Sequence, residues 1–183
     1  MTYTELVAAI QSYTENYEQE FVSYIPTFIR QTETRVYNTV QIPALRANKT
    51  GILTSGNKYL SAPGDFLAVY SMAVIENYGQ ATEAYHYLLN KDVNYIRAAY
   101  PTPADQGLPK YYSIFGPQVT SNVAVDELTF IFGPTPDQAY TLELHYYYYP
   151  ESIVEAGNSW LGDNFDTVLL YGSLVEAYTY MKG

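Results

Sequence analysis

The sequence predicts an α+β protein with a helical layer and an inserted β-domain. Apolar residues recur at helical spacing near both ends of the chain, whereas in the middle they alternate with a period of two. With 48% of its 183 residues apolar or aromatic, the chain can bury a core and is not expected to be disordered. We therefore expect an N-terminal helical hairpin over 1–43, a β-rich domain over 44–155 and a C-terminal helix over 156–183.

The N-terminal segment is typical of two helices in succession. Thr2 and Glu5 have the spacing of a capping box, which begins a helix. The polar stretch 14–20 either ends this helix or continues it with an exposed face. Pro26 is predicted to be the first residue of the second helix, where its missing N–H is not needed, and Pro43 is predicted to end the hairpin. The two apolar stripes consist of Leu6, Val7, Ile10 and Tyr13, and of Phe28, Ile29, Val36 and Val40.

The first part of the middle segment has strand and turn patterns. Residues 54–57, Thr-Ser-Gly-Asn, predict a hairpin turn between strands near 45–53 and 57–61. A second turn, Pro-Gly-Asp at 63–65, precedes a run over 66–75 that is apolar on both faces. A strand of that kind is predicted to be covered on both sides.

The rest of the middle segment predicts one short helix and further strands. Asp92 is placed to cap a helix over 93–100, which Pro101 ends. The β-domain is expected to be antiparallel, and its three remaining strands lie near 110–115, 127–132 and 139–149.

The last predicted strand has two different faces, because side chains alternate along a strand. The face predicted to lie in the core carries Tyr140, Leu142, Leu144, Tyr146 and Tyr148. The opposite face mixes aromatic and polar groups and could meet a partner; it carries Glu143, His145, Tyr147 and Tyr149.

The C-terminal helix is predicted to be buried. Asp163 or Asn164 can cap it, and its apolar residues occur nearly all round its circumference. Those residues are Phe165, Val168, Leu169, Leu170, Leu174, Val175 and Tyr178. A helix that is apolar all round is a core helix, so we expect it to pack against the N-terminal hairpin.

Tyrosine dominates the composition, with 22 residues, four of them consecutive from Tyr146 to Tyr149. Tyrosine buries much apolar area at low entropic cost and tolerates residual water, so it is enriched at protein interfaces. Aromatic residues also favour β-sheets. Because one small core cannot bury so many tyrosines, the composition favours an assembly protein over an enzyme.

The net charge of −10 restricts the possible partners. Nine basic residues against nineteen acidic ones do not favour a surface that grips DNA phosphates. A surface that DNA passes without sticking is compatible with this charge, because like charges repel. The N-terminus lacks a signal-peptide pattern, and no apolar run approaches the ~20 residues that span a membrane. We expect a soluble protein that folds in a cytoplasm, with no membrane partner.

A search for catalytic and metal-binding patterns yields no candidate. The chain has no cysteine, so cysteine-based zinc sites are excluded, and His86 and His145 have no third ligand type near them in sequence. The acidic residues Glu15, Glu18 and Glu20 suit a solvated helix face. A glycoside hydrolase needs only two carboxylates at a cleft and is the enzyme class that is hardest to exclude. We predict no enzyme activity, no cofactor and no metal.

Three blocks of sequence together resemble a known family. They are FVSYIPTFIRQTETRVY at 21–37, YLSAPGDFLAVY at 59–70, and the segment 160–182 with its LLYGSLVEAY helix. In this order, spread over nearly the whole chain, they resemble the head–tail adaptor, or connector, proteins of tailed bacteriophages, especially those of short-tailed phages.

The resemblance implies a structural virion protein without catalytic residues. Such adaptors form a homo-oligomeric ring, typically twelve-fold, between the portal protein and the tail nozzle protein at the capsid–tail junction. The ring extends the DNA channel, and a C-terminal extension of the subunit often reaches the portal. The alternative function is a tail-associated carbohydrate- or receptor-binding module, in which exposed tyrosines stack on sugar rings.

Five residues are candidates for a subunit interface. Arg30, Glu33 and Arg35 are predicted to make polar contacts between subunits; alternatively they form a solvated helix face, on which Arg30 and Glu33 have the spacing of an ion pair. Tyr147 and Tyr149 are predicted interface anchors, or else lie on a sheet face that a helix of the same chain covers.

Overall fold

The computed structural model describes residues 1–120 and 123–182 and has the α+β class expected from the sequence. The helices are α1 (Tyr3–Thr14), α2 (Gln19–Thr39), α3 (Val93–Ala99), α4 (Ile153–Ala156), α5 (Trp160–Asn164) and α6 (Asp166–Lys182), with a 3-10 turn at Pro43–Leu45. The strands are β1 (Arg46–Leu53), β2 (Tyr59–Ser61), β3 (Phe66–Glu76), β4 (Ala84–Tyr87), β5 (Leu89–Asn90), β6 (Tyr111–Thr120), β7 (Val123–Gly133) and β8 (Tyr140–Tyr148).

The chain divides into two compact units. The helical unit contains Met1–Ile42 and the residues from Tyr149 onward, and the β-unit is Pro43–Tyr148. Residues 149–155, which the sequence analysis placed in the β-rich domain, therefore group with the helices. Their contacts explain this grouping, because Ser152 and Ile153 both donate hydrogen bonds to Glu33 of α2.

Helix α1 begins at the predicted capping box. The Glu5 N–H donates to Thr2 Oγ1 at 3.4 Å, and the Thr2 N–H donates to Glu5 Oε2 at 2.8 Å. The last residue of the helix is Thr14, and its C-cap Glu15 has a φ of 51°, in the left-handed region. The polar stretch after Thr14 thus ends the helix and does not extend it.

Helix α2 begins earlier than the sequence predicted. Its first residue is Gln19, so Pro26 lies inside the helix and not at its start. A buried stripe crosses the proline and explains the earlier start; it consists of Phe21, Ile25, Phe28, Ile29 and Thr32. The burial of this stripe outweighs the hydrogen bond that the proline cannot donate.

Helix α6 packs against both α1 and α2, as expected for a helical layer. The crossing with α2 is close at Gly172, where an added Cβ atom would lie 2.2 Å from Thr32 Cγ2. Only part of the helix is buried, however, namely Leu169, Leu170, Ser173, Leu174 and Ala177. The prediction that α6 is buried all round is wrong, because Val168, Val175 and Tyr178 are exposed.

The β-unit contains two four-stranded sheets, with strand orders β1-β8-β3-β4 and β2-β7-β6-β5. The pairs are antiparallel except for β5 with β6, between which α3 provides the crossover that a parallel pair needs. Asp92 caps α3 as predicted, accepting from the Asn94 N–H at 2.8 Å. One apolar core is shared by strands of both sheets and includes Leu53, Phe66, Met72, Val74, Tyr112, Phe130, Phe132, Leu142, Leu144 and Tyr146.

Two predictions about the β-unit are wrong in part. The strands on either side of Thr54–Asn57 exist, but β1 pairs with β8 and β2 with β7, so the turn joins two sheets and is not a hairpin. Strand β3 is buried on both faces only over Met72–Ile75, whereas Tyr70 is 52% exposed. Register shifts on either side of Ala68 and Val69 interrupt its alternation.

Strand β8 has the predicted core face. Tyr140, Leu142, Leu144 and Tyr146 are buried, and Tyr148 is half-buried. The Tyr146 hydroxyl donates to Asp65 Oδ1 at 3.0 Å, which provides the polar partner that a buried tyrosine needs.

Candidate subunit-interface surface

Arg30 and Glu33 lie on one helix, as the sequence indicates, but do not pair with each other. Arg30 Nε and Nη2 donate to Glu155 Oε1 at 3.1 and 2.5 Å. This ion pair joins α2 to α4, and both of its side chains are nearly half exposed. Because its side chain is 49% exposed, Arg30 remains accessible at the surface. An ion pair as exposed as this one contributes little to stability.

Glu33 is buried and acts as a polar anchor for α4. The Ser152 hydroxyl donates to Glu33 Oε2 at 2.5 Å, and the Ile153 N–H donates to Glu33 Oε1 at 3.0 Å. Burial raises the pKa of the Glu33 carboxyl, and the two hydrogen bonds only partly oppose this effect. The side chain is 3% exposed, so its carboxylate is used inside its own chain.

Arg35 extends from α2 to the middle of α6. Its guanidinium forms an ion pair with Glu176, and the Arg35 side chain is 63% exposed. An open groove of about 520 Å³ lies along this part of α2. The residues that line the groove are Thr27, Arg30, Gln31, Thr34, Arg35 and Glu176.

The two predicted tyrosine anchors differ in exposure. Tyr149 is 37% exposed, and its hydroxyl donates to the Asn38 side chain at the end of α2. Tyr147 is buried at 6%, and its hydroxyl accepts from Arg46 Nη2 at 3.0 Å. The Arg46 Cζ atom also lies 3.8 Å from the centroid of the Tyr70 ring. On this part of the sheet face, one guanidinium therefore contacts both Tyr70 and Tyr147. The structure therefore leaves Tyr149 accessible and Tyr147 covered.

The outward face of α6 is a surface that the sequence analysis missed. Val168, Tyr171, Val175 and Tyr178, spaced three and four residues apart, are 45%, 54%, 55% and 44% exposed. We call these four residues the α6 stripe. Tyr13 of α1 extends it, because its ring meets Tyr171 edge-on at 6.4 Å and its carbonyl accepts from the Tyr178 hydroxyl at 2.9 Å.

The sequence did contain a signal for this surface. The apolar residues on α6 occupy more of its circumference than one contact face needs, which the sequence analysis took as a sign of complete burial. The same pattern also arises when one side of a helix packs in its own chain and the other side is left for a partner. Only the structure distinguishes these two cases.

Charge is distributed unevenly in the helical unit. Its basic residues are Arg30, Arg35 and Lys182. Its acidic residues are Glu5, Glu15, Glu18, Glu20, Glu33, Glu151, Glu155, Asp163, Asp166 and Glu176. Two of the three basic residues, Arg30 and Arg35, therefore line the groove on α2. Glu176 lines the same groove, and in sequence it is the residue after Val175 of the α6 stripe.

The described residues contain no group of three or more His, Asp or Glu side chains that could hold a metal ion. His86 Nε2 lies 3.1 Å from Glu76 Oε2, and the described contacts of His86 include no second acidic group. The ring of His145 lies edge-on to Tyr70, and its described contacts include no acidic group. Glu15, Glu18 and Glu20 are exposed, as expected for a solvated surface. Within the described chain, no helix is both long and apolar enough to cross a membrane.

These features define a class of protein: an α+β subunit whose accessible surface is rich in tyrosine and apolar side chains suited to contact with other proteins. The model of the SU10 adaptor protein family matches residues 1–183, and the chain belongs to this family. The resemblance to phage head–tail adaptors is thereby confirmed, and the protein is a virion component with a structural adaptor role. Membership of this family indicates that it oligomerises and interacts with other virion components. A search of curated proteins finds no match.

Proposed function

We propose that this protein forms a ring between the portal and the tail nozzle of a short-tailed phage and extends the DNA channel at the capsid–tail junction. The observation that carries this proposal is the match of an adaptor family to the entire chain. A ring of about twelve copies is the arrangement that the family resemblance implies. In this arrangement one face of the ring contacts the portal protein and the other contacts the nozzle protein.

The surface chemistry supports a role in assembly. Tyrosine is enriched at the centre of protein interfaces, where its ring buries a large apolar area. Tyr17, Tyr78 and Tyr87 are 69%, 58% and 67% exposed, in addition to the tyrosines of α6. Single exposed apolar residues are normal, but this number of exposed rings is expected in a subunit that buries them on assembly.

The predicted interface residues take different parts in this proposal. Arg30 and Arg35 are exposed and flank a groove, so they are proposed to contact a neighbouring subunit directly. Glu33 is buried and is proposed to act indirectly, by holding α4 and thus Glu155 beside Arg30. Tyr149 is proposed as a direct contact, and Tyr147 as a support for the sheet face around Tyr70.

The acidity of the chain supports a channel that DNA crosses without specific binding. A net charge of −10 in each subunit is multiplied around a ring, and like charge repels the phosphate backbone. We propose accordingly that the protein is not an enzyme and needs no cofactor or metal. Family membership does not favour the alternative of a carbohydrate- or receptor-binding module.

Mass measurement by light scattering tests the proposed function. The purified protein is measured alone and then mixed with the portal protein of the same phage. We expect a monomer alone and a stoichiometric ring complex on the portal. A stable trimer that ignores the portal would contradict the adaptor ring and favour glycan binding.

A further inference from the structure

We infer that Lys49 prevents the free edge of strand β1 from pairing with a strand of another chain. Strand β1 lies at the end of its sheet, and among the described residues it pairs with β8 alone. This role belongs to the single subunit, so it goes beyond the proposed ring and does not depend on it.

Strand β1 is a long and regular edge strand. In the described part of the chain the edge strands are β1, β2, β4 and β5, with eight, three, four and two residues. Strand β1 contains no proline, its register with β8 has no bulge, and its central residues Asn48, Lys49 and Thr50 are exposed. A long, flat edge exposes a row of unpaired N–H and C=O groups to which another strand can bind. Shortness protects the other three edges, and β1 needs another form of protection.

Lys49 provides this protection because it belongs to the core face of β1. Residues directly opposite each other in an antiparallel pair point to the same face, and Lys49 lies opposite Leu144, which is 5% exposed. By the two-residue alternation of a strand, the same face of β1 carries Ala47, Gly51 and Leu53. A lysine therefore occupies a position where a strand with one buried face normally has an apolar residue.

The Lys49 side chain does not fill the core that it faces. Its Nζ atom lies 3.2 Å from Asp65 Oδ1, and the side chain is 54% exposed. Lys49 also lines a pocket of about 220 Å³, whose other walls include Leu60, Phe130, Leu142 and Leu144. An apolar side chain at position 49 would cover more of this pocket, whereas an ion pair this exposed contributes little to stability. The lysine is thus better explained by its effect on other chains than by its effect on the fold.

An added strand would place Lys49 in an unfavourable environment. The new strand would lie about 4.8 Å from β1, with its own core-face side chains directly beside the lysine. The ammonium group would lose water, and a desolvated charge is costly unless it is fully paired. If two copies joined β1 to β1 with their core faces on the same side, their Lys49 side chains would be neighbours, and like charges across strands are destabilising.

Sedimentation equilibrium of lysine variants tests this role. Lys49→Met keeps a long side chain and removes the charge. We expect it to self-associate at concentrations roughly ten-fold lower than the wild type, because the charge no longer opposes strand pairing. Its thermal unfolding midpoint should be no lower than that of the wild type. Lys49→Thr removes the charge without adding a large apolar group, should also associate more strongly, and serves as the test if Lys49→Met does not fold.

Lys110→Met is the matched control, because it changes the net charge equally at an exposed lysine that is not on a free edge. The Lys110 N–H donates to the Gly133 carbonyl, and its own carbonyl accepts from the Leu89 N–H, so both sides of its backbone are paired. This variant should associate like the wild type. Hydrogen exchange locates the contact: in associated Lys49→Met, the amides of residues 46–53 should exchange more slowly than in the wild type.

Four results would overturn the inference. The first is that neither Lys49 variant associates more than the wild type, and the second is that Lys110→Met associates as strongly as they do. The third is association with a lowered unfolding midpoint, which would assign it to partial unfolding. The fourth is unchanged exchange over 46–53. The portal-binding experiment is independent of all four, so a failure of the proposed ring would leave the role of Lys49 intact.

Discussion

At the scale of single residues, the contacts of Glu33 show how this chain uses a buried charge. One carboxylate accepts from both the hydroxyl of Ser152 and the N–H of Ile153, where α4 begins. Helix α4 has only four residues, so it depends on such contacts more than a long helix does. Removing the acceptor by Glu33→Ala would leave buried donors unsatisfied, which typically costs about 1–3 kcal/mol.

The raised pKa of Glu33 predicts a pH dependence of stability. An unfolded glutamate has a pKa of about 4.3, so between that pH and the higher pKa of the folded state, the folded state holds a proton that the unfolded state has lost. The contribution of Glu33 to stability is therefore full below pH ~4.3 and decreases as the pH rises through the folded pKa. Urea unfolding from pH 4 to 7 should show the wild type losing stability relative to Glu33→Gln. The exposed Glu20→Gln variant is the control, and parallel curves for wild type and Glu33→Gln would contradict the prediction.

Gly172 is required by close packing and not by backbone conformation. Alanine favours a helix over glycine by about 1 kcal/mol, yet its Cβ would lie 2.2 Å from Thr32 Cγ2. We expect Gly172→Ala to destabilise the protein by about 1–3 kcal/mol in urea unfolding, because overpacking outweighs propensity. Thr32→Ser removes the clashing methyl group, so the double variant should recover part of the loss. Additive effects of the two substitutions would show that they do not share this contact.

At the scale of elements, α6 has one face that is packed within its own chain and one that is exposed. Leu174 is 4% exposed and its neighbour Val175 is 55% exposed. Leu174→Ala should lower the free energy of unfolding by about 2–5 kcal/mol, through lost burial and a cavity. Val175→Ala should change it by no more than ~0.5 kcal/mol. Urea unfolding of the two variants measures both effects, and equal losses would mean that both faces of α6 are packed within the subunit.

The elements that the sequence predicted correctly depend on local signals. The capping box at Thr2 and the alternation of strand β8 each involve residues a few positions apart, whose geometry is fixed by helix or strand periodicity. The errors concern choices that distant residues decide. The turn after β1 joins two sheets because β1 pairs with β8, which lies far along the chain, and not with β2, which directly follows the turn.

The candidate site was predictable to a smaller extent than the fold. Sequence spacing indicated a pair between Arg30 and Glu33, but Arg30 pairs with Glu155, which is far along the chain. A short-range pair on a helix contributes only ~0.2–0.5 kcal/mol, so any better-placed partner displaces it. Similarly, the apolar circumference of α6 identified a contact helix but could not indicate whether the cover came from the same chain or another.

At the scale of the whole molecule, the two units have different characters. The helical unit combines the exposed α6 stripe with most of the excess negative charge, whereas the β-unit encloses an apolar core of its own. The members of that core all belong to Pro43–Tyr148. A unit whose core is complete without the rest of the chain satisfies the main condition for folding alone.

This independence can be tested by excising the β-unit. Arg46 and Tyr147 are register partners in the β1–β8 pair, so the chain enters and leaves the unit on adjacent strands, and excision leaves its two ends close together. We expect residues 43–148 alone to show a β-type circular dichroism spectrum and cooperative thermal unfolding. A matched fragment that begins at residue 54, and so lacks β1, should unfold at lower temperature because it exposes one side of Leu142 and Leu144. If 43–148 were unstructured, the β-unit would need the helices to fold and would not be an inserted domain.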